Sequence, residues 1–388
     1  MKFKISMFYL LLYLGMGAVM PFMSLFLHGK GFSGSEIGIV LAAGSLTGIV
    51  AQPVFGLIND AARDYRTVLK VTSFLSAIVI FGYVFSEGFV PMIVTAIVFS
   101  FINVPAAPII DSIAVERGPS YGFSFGQVRV WGAIGFSFIT VIAGYTSNRI
   151  GFEYTFWAYA AVSLLMFCII HTFPRLERKK RSAVFGKEGV GSLFANRRFV
   201  LFVAVCMIVS ASVTMNFSYL PIYFQKLHYP LDLVGWNFTI AAAVEIPLFL
   251  FASALIRRFG LYPILAVGTF AYALKYVLMG FAPPVGVVLG IQALDGLAFA
   301  FYFGAAVEAV NDMAPEHGKA TAQSVFAAAG GVAGIIANAA GGALIDTLGP
   351  QFLFWLMGGI MAFGTLAFAF FPRQQTQQDY NQLSGSKL

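Results

Sequence analysis

Twelve long apolar runs dominate this chain of 388 residues and limit what it can fold into. A helix needs about 20 apolar residues to cross roughly 30 Å of hydrocarbon, and each run is close to that length. The runs are continuous rather than alternating at every second residue, so they predict spanning helices and exclude a transmembrane β-barrel. They cover residues 5–27, 35–58, 68–86, 89–113, 125–147, 153–173, 199–224, 232–256, 262–281, 284–310, 320–345 and 350–372.

The composition supports a membrane protein. Hydrophobic residues make up 59% of the chain and charged residues 11%, whereas a soluble domain has about a quarter charged residues. Forty-two phenylalanines cannot be buried in one soluble core of this size. The two cysteines, Cys168 and Cys206, lie within apolar runs, so no disulfide framework is predicted. An ordinary soluble enzyme, a disordered chain and a secreted disulfide scaffold are therefore excluded.

The positive charges predict the orientation in the membrane. Twelve spans place both termini on one side, and 19 of the 24 lysines and arginines lie in the termini and the even-numbered connections. Three lie in the odd-numbered connections and two within spans. Basic residues accumulate on the cytoplasmic side, so both termini are predicted to be cytoplasmic, in a plasma or inner membrane. The net charge of +7 thus reflects orientation, and no nucleic-acid partner is expected.

The longest polar stretch, residues 174–198, carries eight basic residues and divides the spans into six and six. We predict an N-terminal bundle over residues 1–173, a cytoplasmic linker over 174–198 and a C-terminal bundle over 199–372. The tail, residues 373–388, is rich in Gln and Ser and is predicted to be disordered. The linker is expected to set the topology, with binding of anionic lipid headgroups as the alternative.

An internal repeat relates the two halves. Five landmarks recur at one offset of 198 residues, which corresponds to six helices and therefore to the same orientation in the membrane. A parallel repeat of this kind predicts a central cavity between the halves. The pairs are Gly132 with Gly330, Gly144 with Gly342, Gly151 with Gly349, Phe156 with Phe354, and Trp157 with Trp355.

Glycine and other small residues are concentrated in the second, fifth, eighth and eleventh spans. Small residues let helix backbones approach closely in lipid. These spans are therefore predicted to pack tightly, either as a static interface or as one that rocks during a transport cycle.

A segment after the second span resembles a family motif. Gly56-Leu-Ile-Asn-Asp60, followed by Arg63 and Arg66, resembles the loop motif of the major facilitator superfamily. Ala61 stands where a basic residue is usual, and Arg63 stands where a glycine is usual.

A second segment narrows the resemblance to one branch. Phe125-Gly-Gln-Val-Arg129-Val-Trp131-Gly132, with Asp111 placed 18 residues before Arg129, is similar to the branch of lactose permease-like, nucleoside–proton and phenylpropionate permease-like symporters. The resemblance implies an all-α fold of twelve transmembrane helices in two parallel six-helix repeats. It also implies sugars, nucleosides or aromatic acids as substrates.

Ionisable residues inside spans are costly in hydrocarbon and therefore mark functional candidates. Asp111 and Arg129 are predicted to lie at similar depth and to form a bidentate ion pair. This pair is either structural, part of a cytoplasmic gate, or a substrate site. Trp131 is expected to offer a stacking face there, with a lipid-facing or packed ring as the alternative. The resemblance implies the substrate site.

Glu245, Lys275 and Asp295 are predicted to couple transport to protons. Glu245 has no basic residue within one turn, and a buried carboxyl loses the hydration that stabilises its charged form. It is therefore a candidate for proton exchange or substrate contact, with a structural hydrogen-bonded carboxyl as the alternative. Lys275 is expected to pair with Asp295 or Glu245. Glu308 is a further possible site residue near the end of the tenth span.

The tenth span departs from the family pattern. Lactose permease-like members carry a Lys-His-Glu constellation there, whereas this chain reads Gln292-Ala-Leu-Asp295-Gly, with no histidine. The family's proton path therefore cannot be carried over intact.

Together these residues predict a secondary transporter rather than an enzyme. Four carboxylates face two cations within the spans, an imbalance that suits protons and neutral or cationic solutes. No metal-ligand spacing and no phosphate-binding loop are present in the sequence, so no metal or cofactor is expected beyond the proton gradient. The expected partners are a small-molecule substrate, protons and membrane lipids, and the protein is expected to be a monomer.

The predicted activity is proton-coupled symport of a small organic solute by alternating access, in which bound ligands stabilise the occluded state differentially. One alternative is a proton-driven efflux antiporter of apolar or sugar-like compounds. Another is a membrane sensor that does not transport.

Overall fold

The computed structural model describes residues 1–61, 64–174, 193–315 and 318–371. Twelve helices in this part of the chain are long and apolar enough to cross a membrane. Most of the predicted linker and the predicted tail lie outside the described residues. The helices are α1 (Lys2–Gly29), α2 (Gly34–Ala61), α3 (Arg66–Phe85), α4 (Phe89–Arg117), α5 (Phe125–Ile150), α6 (Glu153–His171), α7 (Arg197–Lys226), α8 (Asp232–Phe259), α9 (Leu261–Gly280), α10 (Val285–Met313), α11 (Lys319–Thr347) and α12 (Gly349–Ala369).

Helix α4 is interrupted near its middle. It consists of two helical segments, Phe89–Asn103 and Ala106–Arg117, with Pro105 between them. Proline lacks a backbone N–H and cannot continue the hydrogen-bond ladder, which explains the interruption. The second segment carries Asp111, which contacts α1.

Two faces of the helical bundle differ in charge. The basic face, named here for Lys4, Arg66, Arg117, Arg198 and Arg258, contains the N-terminus and the even-numbered connections. The opposite face contains the odd-numbered connections. At the basic face, the Arg66 guanidinium donates to the Phe173 carbonyl oxygen at 2.8 Å, and the Lys4 ammonium also donates to a carbonyl oxygen at the end of α6.

The helices pack as two sets of six. Helix α1 packs against α5 and α6, and its equivalent α7 packs against α11 and α12. The two sets meet mainly where α2 contacts α11 and where α5 contacts α8. The prediction of an all-α membrane protein with twelve helices in two parallel repeats is confirmed.

The repeat is visible in the backbone. Gly151 and Gly349 occupy equivalent junctions, α5 to α6 and α11 to α12, with φ of +88° and +82°. Residues other than glycine rarely adopt this backbone conformation, which explains why both copies have glycine here. Phe156 and Phe354 are buried in both halves.

Glycines allow the closest approach between the halves. A Cβ atom at Gly342 of α11 would lie 2.0 Å from the carbonyl oxygen of Gly34 in α2. A Cβ atom at Gly235 of α8 would lie 2.5 Å from the carbonyl oxygen of Thr140 in α5. The close packing predicted for the glycine-rich spans is therefore present at both contacts between the halves.

Candidate functional site

Helices α2 and α11 touch along the half of their length nearer the opposite face. The backbone N–H groups of Gly34 and Ser35 donate to the Asp346 carboxylate, at 2.8 and 2.7 Å. Deeper in the membrane, the Asn338 side-chain amide donates to the Ser45 hydroxyl at 3.3 Å. A Cβ atom at Gly331 of α11 would lie 2.8 Å from the Ile49 side chain. The contacting stripe of α2 thus runs from its first turn to about its middle.

The same stripe of α2 separates from α11 toward the basic face. Gln52 and Gly56 continue the line of Gly34 and Ser45 at helical spacing, yet both are exposed. A Cβ atom at Gly56 would meet no described atom within 4 Å. The two halves are therefore parted at this end.

Helices α5 and α8 behave in the same way. Near the opposite face, the Thr239 hydroxyl donates to the Ser137 carbonyl oxygen at 3.2 Å. Toward the basic face, Val130 on α5 and Ile246 on α8 are exposed, and a Cβ atom at Gly126 would meet none of the described residues within 4 Å. We call the space between the halves the central gap; it is open to the basic face and closed at the opposite face.

The first polar cluster of the gap belongs to the N-terminal half. The Tyr9 hydroxyl donates to Asp111 Oδ1 at 2.5 Å, which ties α1 to α4. The Arg129 guanidinium lies over the Tyr13 ring, 4.2 Å from its centroid, and 5.9 Å from that of Tyr9. Arg129 therefore rests on two aromatic rings of α1.

The predicted bidentate pair does not form. Among the described residues, no Asp111–Arg129 ion pair lies within 4.0 Å, although the two charges interact electrostatically. The guanidinium extends along α5 toward Gly132. A Cβ atom at Gly132 would lie 2.9 Å from Arg129 Nη1 and 2.7 Å from the Tyr13 ring. The missing side chain at Gly132 makes room for this arrangement.

Tyr9 and Tyr13 were not among the sequence candidates. Both are polar-tipped aromatics four residues apart in an otherwise apolar span, a spacing that places them on one face of a helix. That spacing was the available signal, but it does not reveal which neighbouring helix the face contacts.

The Trp131 side chain does not point toward Arg129. It is 43% exposed and lies in line with Ile134, Phe138 and Ile142, which are exposed as well. Two residues correspond to about 200° around a helix, so Trp131 projects from the side of α5 away from Arg129. The placement corrects the expectation that Trp131 offers a stacking face at the substrate site.

The second polar cluster lies in the C-terminal half. Lys275 Nζ is 2.7 Å from Asp295 Oδ1, and the side chains are 0% and 15% exposed. A buried charge of this kind requires a paired partner, because its desolvation is costly. The structure thus selects Asp295 from the two partners expected for Lys275.

Glu245 lies between the two clusters. Glu245 is partly exposed and lies at the middle of α8. Its carboxyl forms no hydrogen bond or ion pair with the residues that the structure describes. It interacts electrostatically with Asp295 in its own half and with Arg129 across the gap. Gly296 of α10 lets α8 approach closely at this level, since a Cβ atom there would lie 3.0 Å from Glu245 N.

Glu308 is separate from these groups. It follows Asp295 by 13 residues on α10, or about 20 Å along the helix axis toward the basic face. The five remaining charges sum to −1 with Glu245 ionised and to zero with Glu245 protonated. Leaving out Glu308 thus reduces the negative excess expected from the sequence.

Part of the predicted loop motif is visible. Arg66 forms an ion pair with Asp64, Nη2 to Oδ2 at 2.6 Å, and Gly56 faces the central gap. Arg63 and the side chain of Asp60 lie outside the described residues. The contacts of Arg66 tie α3 to the end of α6 and are far from the polar clusters.

The described residues contain no group of three His, Cys, Asp or Glu side chains arranged to hold a metal ion. Two repeats of membrane helices around a charged gap that opens to one face are typical of a multi-pass membrane transporter.

The sequence matches the MFS_1-like family over residues 2–356, and the chain belongs to this family. The predicted membership of the major facilitator superfamily, and the prediction of a transporter rather than an enzyme, are confirmed.

Individual proteins show the same similarity. The maltose permease of Geobacillus stearothermophilus is 25% identical over 358 residues, which are 91% of each chain. A crystal structure of the nucleoside transporter NupG superposes with a TM-score of 0.84 at 19% identity, covering 96% of this chain and 99% of that one. A crystal structure of a D-xylose–proton symporter gives a TM-score of 0.72 at 16% identity over 96% and 97% of the two chains. At these identities the two structures establish the fold alone.

Proposed function

We propose that the protein is a proton-coupled symporter of a small neutral solute, a sugar or a nucleoside. The position of Glu245 carries the proposal. This carboxyl has no ion-pair partner among the described residues, lies at the edge of the gap, and stands between Arg129 of one half and the Lys275–Asp295 pair of the other. A proton on Glu245 therefore changes the charge of the whole site.

The charge balance favours a neutral solute. With Glu245 protonated, two carboxylates balance two cations, so a neutral solute leaves the occluded site neutral. Burying an uncompensated charge is costly, which disfavours closure around an aromatic acid. Sugars and nucleosides also agree with the names of the similar proteins, a maltose permease, a nucleoside transporter and a D-xylose–proton symporter.

The solute is proposed to bind first to the N-terminal cluster. The Asp111 carboxylate accepts hydrogen bonds from hydroxyl groups, and the Arg129 guanidinium donates them in a fixed planar fork. The Tyr13 ring contacts one face of the Arg129 guanidinium, so the N–H groups at the edge of the guanidinium stay available to a ligand. Asp111 and Arg129 form no ion pair with each other among the described residues, which suits a binding site better than a structural pair.

The proposed cycle uses the two faces in turn. We take the basic face as cytoplasmic, because positive charges accumulate there, so the structure is the inward-open state. Glu245 is protonated and the solute binds while the gap faces outward, and the neutral site then closes. Opening toward the basic face releases solute and proton. The ligands act by stabilising the occluded state more than the open ones.

Uptake into proteoliposomes tests this proposal. Radiolabelled maltose, xylose, uridine and 3-phenylpropionate are supplied outside, with and without an inwardly directed proton gradient. We expect one neutral solute to accumulate above its external concentration only with the gradient, and a protonophore to abolish accumulation. Equal uptake with and without the proton gradient would contradict proton coupling. Uptake of 3-phenylpropionate alone would contradict the charge argument.

A further inference from the structure

A groove outside the central gap lies where α7 meets the basic face. Its volume is about 640 Å³, within the range of about 300–1,000 Å³ that is common for small-molecule sites. It opens to the exterior of the bundle and has no contact with the two polar clusters. Its lining consists of Phe194, Arg197, Arg198, Val200, Leu201 and Ala204.

The part of the groove at the basic face, beside the first turn of α7, is cationic. Arg197 is exposed, and Arg198 is partly exposed beside it. Arg198 Nη2 donates to the Tyr262 hydroxyl at 3.1 Å, while its Nε has no hydrogen-bond partner in the described part of the chain. That Nε is itself buried, so the donors open to a ligand belong chiefly to the exposed Arg197 guanidinium, and the partly exposed Arg198 adds its charge beside it.

The end of the helix is not the source of this attraction. The Asn196 side chain already accepts hydrogen bonds from the N–H groups of Arg198 and Phe199, at 3.1 and 3.3 Å. Any anion bound here would have to be recognised by the arginine side chains.

The lower part of the groove is apolar and exposed. Phe194 is 58% exposed and Leu201 51%, and Val200 and Ala204 extend the surface along α7 toward the membrane centre. Apolar surface of this kind is favourably covered by hydrocarbon. A soluble anion would leave this part of the groove uncovered.

We propose that this groove binds one anionic phospholipid. Its phosphate accepts charge-assisted, bidentate hydrogen bonds from Arg197 and is attracted by the charge of Arg198, and an acyl chain lies along Val200, Leu201 and Ala204. Basic residues at the headgroup level attract anionic lipids in the same way. The occupant is a lipid, because only a lipid matches both the cationic and the apolar parts.

Native mass spectrometry of the full-length protein in detergent tests the proposal with phosphatidylglycerol and phosphatidylcholine. We expect one tightly retained phosphatidylglycerol and about tenfold weaker retention in Arg197→Gln, an exposed position at which folding is preserved. Arg257→Gln removes the same charge from the same face at the end of α8 and serves as the matched control. It is expected to retain the lipid as the wild type does.

A second variant tests the apolar part. Leu201→Asn keeps both arginines and is expected to weaken retention several-fold. Equal retention of the two lipids by the wild type, or equal loss in Arg197→Gln and Arg257→Gln, would overturn the proposal. Unchanged retention in Arg197→Gln would also overturn it.

Discussion

Two membrane-embedded cations are held in different ways. Lys275 is fully buried and pairs with Asp295 at 2.7 Å, so its charge is compensated within the protein. Arg129 rests on the Tyr13 ring and lacks a carboxylate within 4.0 Å among the described residues. Arg129 is thus the cation that remains available to a ligand, whereas Lys275 sets the electrostatic environment of Asp295 and Glu245.

The ring of Tyr13 is expected to matter more than its hydroxyl. Tyr13→Leu removes the surface on which Arg129 rests, and a cation–π contact contributes about 1 kcal/mol. The KM for the solute in proteoliposome uptake should therefore rise about fivefold. Tyr13→Phe keeps the ring and should leave KM nearly unchanged. An equal rise in both variants would show that the hydroxyl, rather than the ring, holds the site.

The buried ion pair makes a distinctive prediction for stability. Lys275→Met leaves the Asp295 carboxylate without its partner, and breaking a buried pair in this way costs about 3–5 kcal/mol. The Tm in detergent should fall strongly in this variant. The double variant Lys275→Met/Asp295→Leu should recover most of the loss, because neither charge remains. A double variant as unstable as the single one would contradict this interpretation.

Sequence reasoning found the charged residues but not all of their partners. The spacing of Lys275 and Asp295 within adjacent spans was enough to suggest their pairing. The Asp111–Arg129 contact was predicted wrongly, because the rotation of α5 and the space at Gly132 decide where the guanidinium points. The placement of Trp131 depends on that same rotation.

At the scale of helices, Asp346 closes the opposite face. Its carboxylate at the end of α11 accepts hydrogen bonds from the N–H groups of Gly34 and Ser35 and from the Ser35 hydroxyl, at 2.7–2.8 Å. A negative charge at a helix N-terminus is stabilised by the helix dipole. A state that is open at the opposite face requires these bonds to break.

Removing that charge should favour opening. Asp346→Asn weakens the charge-assisted bonds. Spin labels are placed at Glu87 and His228, which lie on the two halves at the opposite face. Double electron–electron resonance should then show a larger population of long distances between the labels. Cys168 and Cys206 are replaced by Ser in this background. Asp312→Asn, an exposed acid at the basic face, is the control. An unchanged distance distribution in Asp346→Asn would contradict a closing role.

Glycine-rich spans predicted where helices would meet, yet not this contact. The bonds of Asp346 go to backbone N–H groups, which every residue except proline offers, so the sequence contains no signature of the partner. Gly342 was a landmark of the repeat, whereas Gly34 lies just before the predicted second span; a Cβ atom at either position would collide with backbone.

For the whole molecule, the repeat predicted the fold but not the conformational state. A transporter sequence must be compatible with states open to either face, so hydropathy and spacing do not select one. The contacts near Asp346 and Thr239, and the open space around Gly56 and Gly126 among the described residues, show that the structure is open at the basic face.

Cysteine accessibility tests this state. Val130→Cys, in a background without Cys168 and Cys206, faces the gap and should react with a membrane-impermeant maleimide from the basic face. Its neighbour Trp131→Cys lies on the side of α5 away from the gap and should react far more slowly. Labelling of inside-out vesicles but not right-side-out cells would support a cytoplasmic basic face. Equal labelling of both positions would contradict the open gap.

The most direct test of the account compares Glu245→Gln with Glu308→Gln in proteoliposomes. Both variants remove one carboxylate, but only Glu245 lies between the polar clusters. Glu245→Gln is expected to retain solute exchange at equal concentrations and to lose accumulation driven by the proton gradient, while Glu308→Gln retains both. Gradient-driven accumulation by Glu245→Gln at the level of the wild type would contradict the proposed coupling through Glu245.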